Sequence, residues 1–229
     1  MNRQGERGFT MVELLISIAV LAMMMILAWR AIGTTAATRQ NLEQKQQREH
    51  EIRVATSMMV RDLSSAYISN NEDQGIPERR TMFIGKSGGK AVDDLRFSSM
   101  AHRVLWADAN ESEQTVISYS AESDPDDRSL TNLIRREQRR PSNESSRQEP
   151  ADVDLLMRDI HKVKFEYYDW KTKEWKETWD TTKADAERGR IPSRVRITIE
   201  LEDPSARQPI KYVTQARLML EEQLQFFTN

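Results

Sequence analysis

The chain has 229 residues, a formal net charge of −2 and no cysteine. The balance of charges argues against a nucleic-acid-binding protein, and the lack of cysteine excludes disulfide bonds and thiolate metal ligands. Apart from one apolar segment near the amino terminus the sequence is strongly polar, and it is long enough for an extended helix followed by one modest domain.

An apolar segment runs from Phe9 to Trp29. As an α-helix it is about 30 Å long, which matches the hydrocarbon core of a bilayer. Arg3 and Arg7 precede it, so we expect the first residues in the cytoplasm and the bulk of the chain on the other side of the membrane. The polar side chains within the segment are those of Thr10, Glu13 and Ser17.

Glu13 is the candidate functional residue of this segment. A carboxylate inside a membrane-spanning helix costs at least about 2.5 kcal/mol, so it is expected to have a functional partner. Cleavage between Gly8 and Phe9 would create an amino group about one helical turn from Glu13. The alternatives are a secretory signal peptide, whose apolar core is usually only about 7–15 residues long, and a plain membrane anchor. Neither alternative gives the carboxylate a role.

The helix is predicted to continue to residue 69, because residues 31–67 contain no proline. Residues 38–51 are almost entirely polar and are predicted to be solvated. An apolar stripe at helical spacing follows and is predicted to pack on a sheet. The residues of this stripe are Ile52, Ala55, Met59, Leu63, Ala66 and Tyr67. Turn-forming residues at 70–77 end the helix.

The remainder, residues 70–229, is predicted to be rich in β-strands. Alternating or β-branched runs predict strands at 81–84, 94–100, 116–119, 130–135, 161–170, 194–201 and 210–220. Residues 85–89 are predicted to form a glycine-rich hairpin turn, residues 136–151 a mobile loop, and residues 180–190 a charged connection. The fold class is therefore α+β, with a long amino-terminal helix packed on antiparallel sheet.

Motifs for catalysis are missing from the sequence. There is no His-Glu-x-x-His pair and no Gly-x-Ser-x-Gly sequence, so we predict neither an enzyme nor a cofactor. Residues 124–127 are rich in aspartate and could bind calcium, but they lack the glycine and glutamate of a calcium-binding loop. A solvated acidic turn is the preferred interpretation.

A basic cluster near the middle of the chain consists of Arg135, Arg136, Arg139 and Arg140. Glutamates dilute its charge and no aromatic side chain lies nearby to stack on bases. We therefore predict a flexible solvated loop rather than a nucleic-acid site.

Residues Gly8 to Ile16, GFTMVELLI, resemble the processing signal of type IV pilins and pseudopilins. The resemblance implies that a prepilin peptidase cuts between Gly8 and Phe9 and that the new terminal Phe9 is N-methylated. It also implies that Glu13 pairs with the amino terminus of a neighbouring subunit during assembly.

The second half of the chain is similar to the type II secretion minor pseudopilin J family. The similarity lies in Leu155-Leu156, the segment 163–169, Trp175, Trp179 and the strand-like segment 191–199. It implies a pilin-like fold. It also implies that the protein forms a tip complex with minor pseudopilins I and K, on a pseudopilus built of other pseudopilins. This complex primes assembly of the pseudopilus and helps export folded proteins across the outer membrane.

The same resemblance implies how the chain is divided. Residues 1–8 are the cleaved leader, 9–30 the transmembrane half of the helix, 31–69 its periplasmic half, and 70–229 a periplasmic domain. The protein is then a single-pass protein of the bacterial inner membrane with a cytoplasmic amino terminus. The alternatives are a minor type IV pilin that primes a pilus and a membrane-tethered periplasmic enzyme or sensor.

Overall fold

A computed structural model describes residues 10–69, 81–89, 91–102, 113–138, 151–183, 186–202 and 208–224. The chain divides into two compact units, Met1–His50 and Glu51–Asn229. One long helix, α1 (Met11–Ser64), has its first part in one unit and its last turns in the other.

Helix α1 ends at Ser64, five residues before the predicted boundary at residue 69. The difference arises because the next backbone groups bond to extended segments of the second unit. Ser64 accepts a hydrogen bond from the amide of Met219, and the amide of Tyr67 donates to the carbonyl of Ser98. Ala66 and Ser99 form a β-bridge. The predicted helix stop at 70–77 lies outside the described residues.

The second unit contains two antiparallel sheets. The first has six strands in the order β5-β4-β3-β2-β1-β8, and the second has four in the order β10-β9-β6-β7. The strands are β1 (Phe83–Lys86), β2 (Asp94–Ser99), β3 (Thr115–Ser123), β4 (Thr131–Gln138), β5 (Asp152–Met157), β6 (Lys162–Asp169), β7 (Glu174–Lys176), β8 (Trp179–Asp180), β9 (Arg194–Leu201) and β10 (Ile210–Arg217).

One apolar core joins the last turns of α1 to both sheets. The predicted helical stripe is confirmed as far as Leu63, because Ile52, Ala55, Met59 and Leu63 are buried in this core. Ala66 and Tyr67 are also buried, but they lie beyond the end of the helix. The inward-facing residues of β6 and β9 alternate with polar ones, as one-sided burial of a strand requires. These inward-facing residues are Val163, Phe165, Tyr167, Val195, Ile197, Ile199 and Leu201.

Three predictions about connections were wrong. Gly85 lies in strand β1 rather than in a turn, because its missing Cβ makes room for Tyr167: a Cβ there would lie 2.0 Å from the Tyr167 hydroxyl. Residues 136–138 continue strand β4 instead of starting a loop. Residues 179 and 180 form β8, which pairs with β1 at the edge of the first sheet.

Candidate assembly site

Helix α1 begins with a cap that places Glu13 in its first turn. The carbonyl of Thr10 accepts hydrogen bonds from the amides of Glu13 and Leu14, at 3.1 and 3.2 Å. The Thr10 hydroxyl also accepts from the Glu13 amide at 3.3 Å, as a capping threonine does. A carboxylate in the first turn is favourable there because the amino-terminal end of a helix carries partial positive charge.

The helical surface around Glu13 is apolar and exposed. Residues Met11–Arg30 form the one candidate membrane span among the described residues, and Leu15, Ile16 and Met24 each expose more than half of their surface. A helix with this much uncovered apolar surface is suited to lipid or to other apolar helices. Glu13 is therefore a carboxylate on a largely apolar helical surface, as far as the described residues 10–30 show.

The predicted cleavage pair, Gly8 and Phe9, lies outside the described residues. Glu13 is the one predicted site residue that the structure describes. It lies on helix α1, four residues after Phe9 in the sequence. Its polar contacts among the described residues are made by its backbone: the amide donates to Thr10, and the carbonyl accepts from the Ser17 hydroxyl at 2.7 Å. Neither contact uses the Glu13 carboxylate.

A buried ionic cluster at the other end of α1 was missed by the sequence analysis. Asp62 is fully buried, and its Oδ2 atom accepts hydrogen bonds from Arg135 Nε at 2.6 Å and from the Tyr119 hydroxyl at 2.7 Å. These bonds join the helix to strands β3 and β4. The sequence did contain one indication of this cluster. Asp62 lies three residues after Met59 and one before Leu63, so its side chain is beside the apolar stripe.

Arg135 is the centre of this cluster. Its Nη1 atom lies 2.7 Å from Glu137 Oε2 and 3.0 Å from Asp154 Oδ2. Burial lowers the pKa of Arg135, but the Asp62 and Glu137 carboxylates outweigh burial and raise it above its ordinary value. Arg135 was predicted both as the last residue of a strand and as part of a solvated basic cluster. It does lie in a strand, but the prediction of a solvated side chain was wrong, because the alternation of strand β4 turns it inward.

The same cluster perturbs two further groups. Burial raises the pKa of Tyr119 well above its ordinary value, and the neighbouring Asp62 carboxylate adds to that effect. Burial also raises the pKa of Glu137, but hydrogen bonds from Arg135 and His102 more than reverse the effect and lower it. At neutral pH the Tyr119 hydroxyl therefore keeps its proton and donates it to Asp62, an arrangement suited to fixing positions.

A second ionic cluster joins β6 and β7 to the segment before β9. Asp169 is fully buried. Its carboxylate accepts hydrogen bonds from both guanidinium Nη atoms of Arg190, one of them at 3.0 Å, and lies 2.9 Å from Lys176 Nζ. The guanidinium of Arg190 lies 5.1 Å from the ring centroid of Trp179, whose indole nitrogen donates to the Arg190 carbonyl. The predicted charged connection at 180–190 is thus tied to the core.

The aspartate-rich segment forms a turn closed by its own carboxylate. Asp124 Oδ1 accepts hydrogen bonds from the backbone amides of Asp126 and Asp127, at 2.9 and 3.3 Å. Asp124 Oδ2 accepts a hydrogen bond from the side-chain amide of Asn132 at 2.8 Å. Both oxygens are therefore engaged in bonds that shape the turn. Among the residues that the structure describes, no group of three or more histidine, aspartate or glutamate side chains is arranged to hold a metal ion.

Comparison with known families identifies the chain. Residues 30–210 match the family described as type II secretion system (T2SS), protein J. The chain belongs to that family. Residues 3–29 match the prokaryotic N-terminal methylation motif, a range that includes Gly8, Phe9 and Glu13. The predicted minor pseudopilin of type II secretion is confirmed, and so is the predicted α+β fold with its amino-terminal helix and antiparallel sheets.

The comparison with solved structures is weaker. A chain of the GspK-GspI-GspJ complex from the enterotoxigenic Escherichia coli type 2 secretion system is 15% identical, with a TM-score of 0.48. The alignment covers 74% of this pseudopilin and 97% of that chain. None of the curated proteins matches it.

Proposed function

We propose that this pseudopilin J works in a tip complex with minor pseudopilins I and K. In this role it primes assembly of the pseudopilus from the other pseudopilins and helps export folded proteins across the outer membrane. The observation that carries the proposal is the family match over residues 30–210, joined to a methylation motif over residues 3–29. The role is structural, and we assign the chain neither a catalytic residue nor a cofactor.

We propose that a prepilin peptidase removes residues 1–8 and that Phe9 becomes the N-methylated terminus. Residues 9–30 then span the inner membrane, with the original amino terminus in the cytoplasm and the rest of the chain in the periplasm. The positive residues Arg3 and Arg7 before the apolar segment support this orientation. The periplasmic part of the helix is residues 31–64, and the β-rich domain follows it.

The proposed task of Glu13 is to pair with the terminal amine of a neighbouring subunit. A lone carboxylate in lipid is costly, and a buried ion pair is costlier to break than to form. Two subunits that each bring one unneutralised group into the membrane therefore gain by associating. The position of Glu13 in the first helical turn supports this pairing, because cleavage creates the terminal amine in the segment just before that turn.

Substitution of Glu13 tests this function. Glu13→Ala is expected to insert into the membrane and to be processed normally, but to lose most of its co-purification with sibling pseudopilins. Glu43→Ala is the matched control, because Glu43 lies on the same helix in an exposed pair with Arg39 at 2.8 Å. Equal incorporation of the Glu13 variant and the control into assembled pseudopili would contradict the proposal.

Processing has an independent readout. Mass spectrometry of the native protein is expected to find a chain that begins at N-methylated Phe9. A chain that still begins at Met1, or one cut after Gly33, would instead support a tethered periplasmic protein or a secretory signal peptide. Because this measurement does not depend on assembly, it separates failure of processing from failure of the Glu13 pairing.

A further inference from the structure

The outer face of the second sheet carries a row of four side chains that crosses all four strands. In the strand register Arg217 of β10 lies opposite Arg194 of β9, Arg194 opposite Tyr168 of β6, and Tyr168 opposite Trp175 of β7. Residues directly opposite one another project from the same face. We call Arg217, Arg194, Tyr168 and Trp175 the basic–aromatic row.

The two arginines of the row form an uncompensated like-charge pair. Both are exposed, and neither has a carboxylate within 4.0 Å among the described residues. Side chains directly opposite on neighbouring antiparallel strands have Cβ atoms about 4.5–5.5 Å apart, and like charges there are destabilising. The fold therefore holds two positive charges together with no internal benefit from the pairing.

Three other cations on this face are paired. Arg196 lies 3.3 Å from Glu166, and Lys164 Nζ lies 2.7 Å from a carboxylate oxygen of Glu177. Towards the other end of the sheet, Lys211 lies 3.3 Å from Glu200. The arginine pair therefore differs from these three cations, whereas Lys162, which lies opposite Glu200, likewise has no carboxylate within 4.0 Å among the described residues.

The aromatic half of the row supplies apolar surface beside the two charges. The rings of Tyr168 and Trp175 are 5.2 Å apart, and both side chains are half-buried. The guanidinium of Arg194 lies 4.9 Å from the Tyr168 centroid, and that of Arg196 lies 4.0 Å from the Trp175 centroid. Cation–π contacts of this kind restrict the arginine side chains before any partner binds. Tryptophan, tyrosine and arginine are also the residues that dominate binding energy at interfaces.

We propose that the basic–aromatic row is a docking site for an acidic polypeptide segment of a partner protein. A partner carboxylate would lie between Arg194 and Arg217, and an apolar side chain next to it would cover Tyr168 and Trp175. A flat anionic lipid surface would instead contact the lysines of the same face as well as the row, and competition by vesicles distinguishes the two partners. This surface is separate from Glu13 and does not depend on the pairing proposed there.

The test measures binding of a probe peptide to the full-length protein in detergent micelles. The probe is a fluorescein-labelled peptide of alternating glutamate and leucine, and its fluorescence anisotropy reports binding. The double variant Arg194→Glu with Arg217→Glu is expected to weaken binding by about tenfold or more. The matched control, Lys162→Glu with Lys211→Glu, makes the same change in net charge at the opposite end of the same face. It is expected to change the affinity by less than about twofold.

Several results would overturn the proposal. The first is that the two double variants weaken peptide binding equally. The second is that the wild-type protein does not bind the peptide. The third is that vesicles of anionic lipid compete for binding as strongly as unlabelled peptide does. Circular dichroism and the melting temperature of each variant check that it is folded. If the double reversal does not fold, the single variant Arg217→Gln on the edge strand takes its place, with Lys211→Gln as control. A Glu13→Ala protein is expected to bind the peptide normally, which separates this test from that of the proposed function.

Discussion

Arg135 and Arg136 are neighbours on strand β4, but the structure gives them different energetic roles. The side chain of Arg135 is 3% exposed and bonds to the buried Asp62, whereas that of Arg136 is 34% exposed and pairs with the half-exposed Glu122. Replacing either with alanine removes one positive charge from the same strand. We expect Arg135→Ala to lower the free energy of unfolding by about 3–5 kcal/mol and Arg136→Ala to lower it by less than about 1 kcal/mol.

The size of the first effect depends on what remains around Asp62. After loss of Arg135 the carboxylate keeps the Tyr119 hydroxyl at 2.7 Å and has Arg61 Nη2 at 3.4 Å. Arg61 is partly exposed and lies beyond good hydrogen-bond distance, so it compensates only in part. We therefore expect a loss near the lower end of the range, about 3 kcal/mol. Replacing both partners, as Asp62→Leu with Arg135→Met, is expected to recover part of this loss, because the Asp62 charge is removed together with its partner. Recovery is incomplete because Glu137 keeps only its contact with His102 and the Tyr119 hydroxyl loses its acceptor.

Urea unfolding of the full-length protein in detergent micelles, followed by tryptophan fluorescence, measures these differences. Trp179 is fully buried and provides a signal from the core. A difference of less than about 1 kcal/mol between the two alanine variants would contradict these roles of Arg135 and Arg136. So would a double variant of Asp62 and Arg135 that is no more stable than Arg135→Ala.

Three more predictions concern packing and pH. Gly85→Ala is expected to destabilise by about 1–3 kcal/mol because the new Cβ would overlap the buried Tyr167 ring. Tyr167→Phe is expected to leave urea stability within about 0.5 kcal/mol of wild type or to raise it, since its buried hydroxyl has no hydrogen-bond partner among the described residues; a large loss would contradict this. Burial raises the pKa of Asp169, but Arg190 and Lys176 hold it well below its ordinary value. The folded state therefore gains stability that is complete above about pH 5 and is lost as the pH falls towards 2. Unfolding followed over that range is expected to show a steeper decline for wild type than for Asp169→Asn, and parallel curves would contradict the assignment.

The parts of the fold that follow a simple period were predictable from the sequence. Strand β9 was predicted with the bounds that it has, Arg194 to Leu201, because four inward-facing apolar residues alternate with polar ones along it. The helical stripe that ends at Leu63 was predicted for the same reason. Strands β7 and β8 have three and two residues, which is too short for any period to appear, and both were missed.

The buried charges could not be predicted from local pattern. Asp62 and Arg135 are 73 residues apart, and their bond exists only because α1 packs across strands β3 and β4. Adjacent arginines on a strand face opposite sides, but the sequence alone does not say which side is covered. The cleavage and assembly residues were instead recognised from a motif, and of these the structure describes only Glu13.

The buried cluster also explains how the last turns of α1 are held in one position. An apolar stripe tolerates sliding, because a shift of one turn, about 5.4 Å, replaces Met59 by Leu63 with little change in burial. The bonds from Asp62 to Tyr119 and Arg135 do not tolerate it, since hydrogen bonds weaken within a few tenths of an ångström. We infer that this buried pair fixes the register of the helix on the sheet, the role in which such pairs are best attested.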